Sequence, residues 1–343
     1  MMVSIQIISS TREEKETWQK YVDQNPRATF FHLIEWQEIL KKVYGYEPFY
    51  LTAVQADQIK GLLPLFQIKS RIRGKNLASL PFHFLGGPLG DSPEIEQNLI
   101  DYSIKLAKKL GCQDVRIKSY HSYPQPLQLN QSYLSFKVLL KENFEETLRQ
   151  FAETTRRNIR SGLRNNRIDL VENLDQLKSF YALFVKSTRR IGIPPHSFEL
   201  FKELWEKFGP EQKVRITLAV YEDSCVAGHV ALNFKGSVLY MWGALDRTVK
   251  SKGFQALQGE AMKWAIKNGY QFYDLGWTHP QEAGALHYKK HFGAQERPVH
   301  FYSLTAKNKL DYHRSFPLAK AIWRKLPLPL IKIVSPWLAK QAG

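Results

Sequence analysis

The chain has 343 residues, enough for two domains at about 150 residues each, and its 43% apolar and 24% charged residues exclude a disordered chain. Two cysteines, Cys112 and Cys225, exclude a disulfide framework, no apolar run reaches the ~18 residues of a membrane-spanning helix, and the opening MMVSIQIISSTREEKE lacks a secretory core, so a cytoplasmic protein is expected. Forty-nine Lys and Arg against 32 Asp and Glu give a net charge of +17, which favours polyanions: RNA, anionic lipid or phosphorylated substrates.

Residues 15–44 carry a mostly helical pattern. Apolar residues alternate on both sides of an acidic turn in LTAVQADQIKGLLPL, which predicts a hairpin over 47–68. SLPFHFLGGPLGDSP (79–93) reads as a loop, and its GGPLG (86–90) suits a tight turn better than a phosphate cradle. A helix over 93–110 runs into a strand at 113–118. Residues 120–131, with Pro124 and Pro126, read as a loop near a domain boundary. A helix from Phe144 to about Asn165 opens the second half, followed by a helical pair over 174–208 broken at Pro194-Pro195. Strands are expected at 213–221, 225–234 and 237–244, then a helix at 254–268, a strand at 271–276, a short helix at 283–291 and a strand at 298–304.

Two features recur in the same order. LTAVQADQIKGLLPL, from Leu51, is matched by TLAVYEDSCVAGHVAL, from Thr217. The helix-to-strand segment IDYSIKLAKKLGCQDVRIKS, from Ile100, is matched by QGEAMKWAIKNGYQFYDLGW, from Gln258. Both helix-to-strand copies contain Ala-x-Lys-x-Gly-x-Gln, with Gly111 and Gly269 where a helix C-terminal glycine belongs. The expected fold class is therefore α/β, built from two duplicated domains over 1–140 and 141–305, with a separate basic tail over 306–343.

The strand and helix order of the second half is that of GNAT-type acyltransferases. TTRRNIRSGLRNNRIDL (154–170), FYDLGWT (272–278) and ALHYKKHFGA (285–294) resemble the Fem family of the GNAT-like superfamily. FFHLIEW (30–36) and LASLPFHFLGGPLGD (77–91) resemble its FemAB-like branch found near polysaccharide-export gene clusters. The resemblance covers about residues 28–305. It implies two tandem GNAT-like domains, each a mixed twisted sheet flanked by helices. It also implies acyl or aminoacyl transfer to an amine of a cell-envelope precursor, of peptidoglycan or exopolysaccharide. The implied chemistry is direct attack of the amine on a bound ester, with aminoacyl-tRNA or acyl-CoA as co-substrate, no bound cofactor, no metal and no role for DNA. The chain departs from the family in two places: nothing between 145 and 212 has the length of its helical-hairpin arm, and the lysine often found four residues after the helix tryptophan is here Leu40, after Trp36.

The resemblance places Lys289 on the family's Phe-Lys pair, with Tyr288 in place of the phenylalanine. A cation there can stabilise the oxyanion of acyl transfer. Asp274 can accept a proton or orient the amine, or it can stabilise a turn. Trp277 and Tyr288 are expected beside the substrate. Arg156, Arg157, Arg160, Arg164 and Arg167 have helical spacing and form either a phosphate grip or a solvated face; Arg157, Arg160 and Arg164 are assigned to substrate. Acyl-CoA enzymes cradle pyrophosphate on a glycine-rich helix start. Here Lys250-Ser251-Lys252-Gly253-Phe254-Gln255 puts Gln255 where Gly or Ala is needed, which argues against CoA. His287 and His291 stand four apart but lack a third ligand.

From Ala306 onward the tail holds eight Lys or Arg and one Asp, with Trp323 and Trp337 among Leu, Ile and Val, cut by Pro327, Pro329 and Pro336. Such a segment, taken over 312–343, can lie on an anionic membrane surface at the inner face of the cytoplasmic membrane, or pack back on the first domain. A non-catalytic basic module binding lipid or RNA is the rival to the enzymatic readings.

Overall fold

The structure is a computed structural model describing residues 3–8, 11–71, 74–82, 85–123, 126–305 and 317–342. The chain opens with β1 (Ser4–Ile8), α1 (Arg12–Gln24), a 3-10 turn at Phe30–His32, α2 (Ile34–Tyr44), β2 (Glu47–Gln55) and β3 (Gln58–Ser70). Next come β4 (Gly74–Ala78), the short β5 (Leu89–Gly90), α3 (Pro93–Lys109), β6 (Asp114–Ser119) and β7 (Gln128–Leu139). Then follow α4 (Phe144–Arg149), α5 (Glu153–Asn165), β8 (Arg167–Leu170), α6 (Leu174–Ile191), α7 (Phe198–Phe208), β9 (Val214–Tyr221) and β10 (Ser224–Phe234). The last elements are β11 (Ser237–Leu245), α8 (Gly253–Lys267), β12 (Phe272–Thr278), α9 (Ala283–Lys290), β13 (Gln295–Ser303), α10 (Pro317–Lys325) and α11 (Leu328–Ala342).

The chain forms two compact units. Unit 1 is Met1–Tyr133 with Pro298–Asp311 and Trp337–Gly343; unit 2 is Leu134–Arg297 with Tyr312–Pro336. Unit 1 has the strand order β1-β2-β3-β4-β6-β13, with β5 on β3, and its one parallel pair among these is β4 with β6. Ser92 caps α3 by accepting from the Ile95 amide, and Pro93 suits the first helical turn. Leu99, Ile100 and Ile104 of α3 pack on Leu63, Leu77 and Val115 of the sheet, each contributing about 1.5–3 kcal/mol by leaving water.

Unit 2 has the order β7-β12-β11-β10-β9-β8, again with one parallel pair, β11 with β12. Its core joins Met262 and Ala265 of α8, Ile159 of α5 and Phe292 to Phe136, Val138, Tyr273 and Leu275 of the sheet.

The duplication is visible bond by bond. Gly111 and Gly269 both take positive φ, +64° and +76°. Their helices end with the same pair of hydrogen bonds: Cys112 N to Ala107 O (2.8 Å) with Gly111 N to Lys108 O, and Tyr270 N to Ala265 O (2.9 Å) with Gly269 N to Ile266 O. This is the Schellman ending that glycine allows without steric cost. Gln113 N then donates to Lys75 O and Gln271 N to Gly236 O. Each copy next forms three parallel pairs, Asn76–Asp114 to Ala78–Arg116 and Ser237–Phe272 to Leu239–Asp274.

Several expectations need correction. The helical stretch 15–44 is two helices, because Pro26 follows directly on the Asn25 cap of α1. The helix expected from Phe144 to Asn165 breaks at 150–152, where Phe151 is buried against Phe292 (5.1 Å between ring centres) and the Ala152 amide turns to His291 O. Arg167 therefore lies on β8, paired with Asp169 at 3.0 Å, and not on the arginine helix. β4 and β7 were not expected, and β7 begins inside the stretch read as a loop. The units divide within β7 rather than at 140/141. β13 spans both units, and its residues from Pro298 onward return to unit 1 because His300–Ser303 pair with Arg116–Ser119 of β6. The tail is helical from Pro317; residues 306–316 lie outside the described residues.

Candidate active site

The parallel pairing of β11 with β12 in unit 2 stops after Leu239–Asp274. Two irregularities follow. Met241 is an extra residue on β11, since Ala231 pairs with Tyr240 and Val230 with Trp242. On β12 the register with β7 slips between Asp274 and Trp277, around Gly276 at φ +68°. That left-handed conformation costs an L-residue roughly 1–2 kcal/mol, so glycine fits the bulge. Bulges re-aim strands and side chains, and here β11 and β12 run on past their last parallel pair without further pairing to each other.

Asp274 holds the bulge. Its Oδ1 accepts from Gly276 N at 2.8 Å, and its Oδ2 lies 3.5 Å from Lys137 Nζ on the paired strand β7. The side chain is buried, and burial pushes its carboxyl above the usual range, while Lys137, the Gly276 amide and Lys289 pull it back. Asp274 thus takes the turn-stabilising place that the sequence left open, inside the field of Lys289.

α9 delivers Lys289. Leu286 and Tyr288 pack this helix onto the core, and Lys289 Nζ stands 5.4 Å from the centre of the Phe136 ring. Burial lowers its ammonium to about 8, opposed by the charges of Asp274 and Glu282. An ammonium with this environment is charged at neutral pH and loses its proton as the pH rises through about 8. Tyr288 presents a buried hydroxyl with no hydrogen-bond partner among the described residues, and its pKa is raised, first by burial and then by Tyr240. An unpaired buried hydroxyl costs about 1–3 kcal/mol, and Tyr288 Oη is a donor that is free to serve an acceptor oxygen.

A second layer escaped sequence reading. His229 Nε2 lies 2.9 Å from Tyr273 Oη, and its ring stacks on Tyr240 at 5.2 Å and 18°. Burial pushes the imidazole down to about 3, with Arg215 adding to the effect, so it is neutral at ordinary pH. The only sequence signal was one histidine in the apolar run VAGHVAL. Trp277, expected beside the substrate, is half-buried on β12 just past the bulge, paired with Ser135.

The arginines stand elsewhere on unit 2. Ile159, Gly162 and Leu163 turn α5 onto α8; a Cβ on Gly162 would lie 2.5 Å from Lys252 O. Arg157, Arg160 and Arg164 occupy the exposed side. Arg160 is paired with Glu145, whereas Arg157 and Arg164 have no acidic partner among the described residues. At the start of α8, Gly253 N is taken by Ser251 Oγ (3.1 Å), and Asn166 Nδ2 bonds Ser251 O (2.8 Å). His287 and His291 lie 4.0 Å apart between ring centres, and among the described residues no group of three or more His, Cys, Asp or Glu could hold a metal ion.

The family model described as Acetyltransferase (GNAT) domain matches residues 149–290, which contain α5, the separated strands and Lys289. Residues 149–290 are a GNAT-type acyltransferase domain. Among solved structures, the chain is similar to FemX, at 13% identity and a TM-score of 0.66, covering 87% of this chain and 97% of that one. It is also similar to the C-terminal domain of a putative lysylphosphatidylglycerol synthetase from Agrobacterium fabrum (12% identity, TM-score 0.55, 88% and 94% covered). A tandem GNAT protein from the clavulanic acid biosynthesis pathway matches with 9% identity and a TM-score of 0.52, over 89% of this chain and 99% of that one. These likenesses establish the tandem GNAT fold. No curated protein matches by sequence.

Proposed function

We propose that this acyltransferase moves an aminoacyl or acyl group from a bound ester to an amine of a cell-envelope precursor. The observation that carries the reading is the separated β11–β12 pair, with the Lys289 ammonium and the unpaired Tyr288 hydroxyl both on α9 beside it. The acceptor amine attacks the acyl carbon, the C–O bond to the donor breaks, and the donor hydroxyl leaves with a proton. Lys289 offsets the charge that develops on the acyl oxygen, Tyr288 Oη donates to the ester, and Asp274 receives or orients the amine proton. Orientation of amine and ester supplies much of the rate. Trp277 lies on the strand next to the acceptor, and Arg157 and Arg164 offer the phosphate grip.

Two features support aminoacyl-tRNA over acyl-CoA as donor. The first amide of α8 is already satisfied by Ser251, and Gln255 stands where a pyrophosphate cradle needs a small residue. The excess of base over acid suits a polyanionic donor. We place the activity in the cytoplasm, at the inner face of the membrane, where a lipid-linked precursor would be reached.

The test offers purified protein an envelope-precursor extract with either labelled aminoacyl-tRNA or labelled acyl-CoA, read by mass spectrometry of the precursors. Label moving from tRNA to a precursor amine is the expected result. Transfer only from acyl-CoA would replace the donor, and no transfer from either would favour the non-catalytic basic module.

A further inference from the structure

The two C-terminal helices divide their apolar residues between an inner and an outer side. On α10, Trp323 is buried while Leu318 and Ile322, one turn apart, are exposed. On α11, Ile331 and Ala339 are buried while Leu330, Ile333, Val334 and Trp337 are exposed, and steps of three and four put these on one stripe. Ile333 is 74% exposed and Leu318 73%, far outside the range of core residues.

The inner sides are fixed. Arg189 Nε donates to Arg324 O at 3.1 Å and Arg324 Nη2 to Ile191 O at 3.2 Å, holding α10 on α6. At the end of α11, Tyr46 Oη donates to Lys340 O and Ser70 Oγ to Gln341 O, both at 2.9 Å. The outer apolar residues are therefore surplus to the packing of these helices. Charge identifies what they meet. Residues 317–342 contain Lys320, Arg324, Lys325, Lys332 and Lys340 and no acidic residue. Among the described residues no helix is long and apolar enough to cross a membrane.

We propose that the exposed apolar stripes of α10 and α11, with their flanking bases, are the contact of this protein with an anionic lipid surface. Apolar insertion and basic attraction are the two signals that stable peripheral binding requires, and tryptophan at an edge such as Trp337 sits at headgroup level. This reading deepens the membrane placement above by naming the surface, and it stands for either donor, because it concerns lipid binding and not transfer.

Deleting the tail would strip the inner sides as well, so point variants are the test. Full-length protein is sedimented with phosphatidylcholine vesicles and with vesicles containing phosphatidylglycerol, at low and high salt. Wild type is expected to prefer the anionic vesicles and to lose most of that binding at high salt. The triple variant Ile322→Gln, Ile333→Gln, Trp337→Gln is expected to bind them about tenfold more weakly or worse, with the melting temperature held because all three side chains face solvent. Should the triple variant melt early, quenching by brominated lipid decides: wild type must show a quenched component that Trp337→Phe lacks. Wild type ignoring anionic vesicles would overturn the proposal, as would a folded triple variant that binds like wild type. Loss of self-association in the triple variant, with no vesicle binding by either protein, would instead assign the stripes to a second copy of the chain.

Discussion

Unit 1 and unit 2 build the same separating strand pair and finish it in opposite ways. In unit 1, Ser79 N still reaches Arg116 O (2.8 Å), Lys118 N reaches Ser79 Oγ, and Lys118 Nζ donates to the carbonyls of Leu80 and Phe82. Lys118 is buried, its ammonium is 5.5 Å from the centre of the Phe301 ring, and a Cβ on Gly87 would lie 2.7 Å from Lys118 O. In unit 2, counting from the shared Ala-x-Lys-x-Gly-x-Gln segment, the position of Lys118 is Gly276 and that of Arg116 is Asp274. One copy commits its lysine to loop carbonyls. The other has a glycine bulge there and brings its lysine, Lys289, from α9, with a neighbouring tyrosine hydroxyl left unpaired. Unpaired buried polar atoms occur in both units, Gln37 and Thr52 in unit 1 among them, so the contrast between the copies rests on their lysines: Lys118 is spent on two loop carbonyls, and Lys289 is not.

The sharpest way to break this comparison is to remove each lysine. Lys289→Met is expected to lower turnover by roughly two or more orders of magnitude, with the melting temperature held, in a steady-state transfer assay alongside thermal melts. Lys118→Met is expected to do the reverse. It leaves two carbonyls without their donor, at a cost of about 1–3 kcal/mol, which lowers the melting temperature while turnover per folded molecule is kept. A Lys118 variant that melts normally but fails in transfer would make unit 1 the active copy.

Smaller effects sharpen the contrast. Tyr288→Phe restores the residue of the resembled family and removes the unpaired hydroxyl. Its KM for the donor is expected to rise several-fold, or about 1 kcal/mol, without loss of stability in chemical denaturation. Smaller still, Arg157→Gln with Arg164→Gln is expected to weaken binding of tRNA and flatten its salt dependence by about two ionic contacts in filter binding. An unchanged salt slope would make that face a solvated one.

How much of this was legible in the sequence follows from where each signal sits. The duplication was readable because Gly111 and Gly269 occupy a local motif with a local cause, the left-handed helix ending. Lys289 and Asp274 were reachable through short motifs around them, and the structure puts them in one another's field. His229 and Tyr273 were not, because strand alternation gives a buried histidine and a buried tyrosine no mark that separates them from core; only the pairing of β10, β11 and β12 joins them. The return of β13 to unit 1 was equally hidden. Its partners in β6 are some 180 residues away in sequence, and register over such a separation leaves no local pattern. Arg167 was misplaced for the opposite reason: helical spacing continued past Asn165 while the chain had already turned into β8.

The most direct test of Lys289 as the cation at the transfer centre is the pH profile of kcat for wild type and Lys289→Arg. Burial holds the Lys289 ammonium at about 8, so the charged form is present below that pH and lost above it, and wild-type kcat is expected to fall as pH rises through about 8. On the acid side, Asp274 takes its proton above the ordinary carboxylate range, which sets the lower limb. Lys289→Arg keeps its charge throughout, so whatever activity it retains is expected to lose the alkaline fall. The same alkaline limb at the same pH in both proteins would contradict the assignment of Lys289.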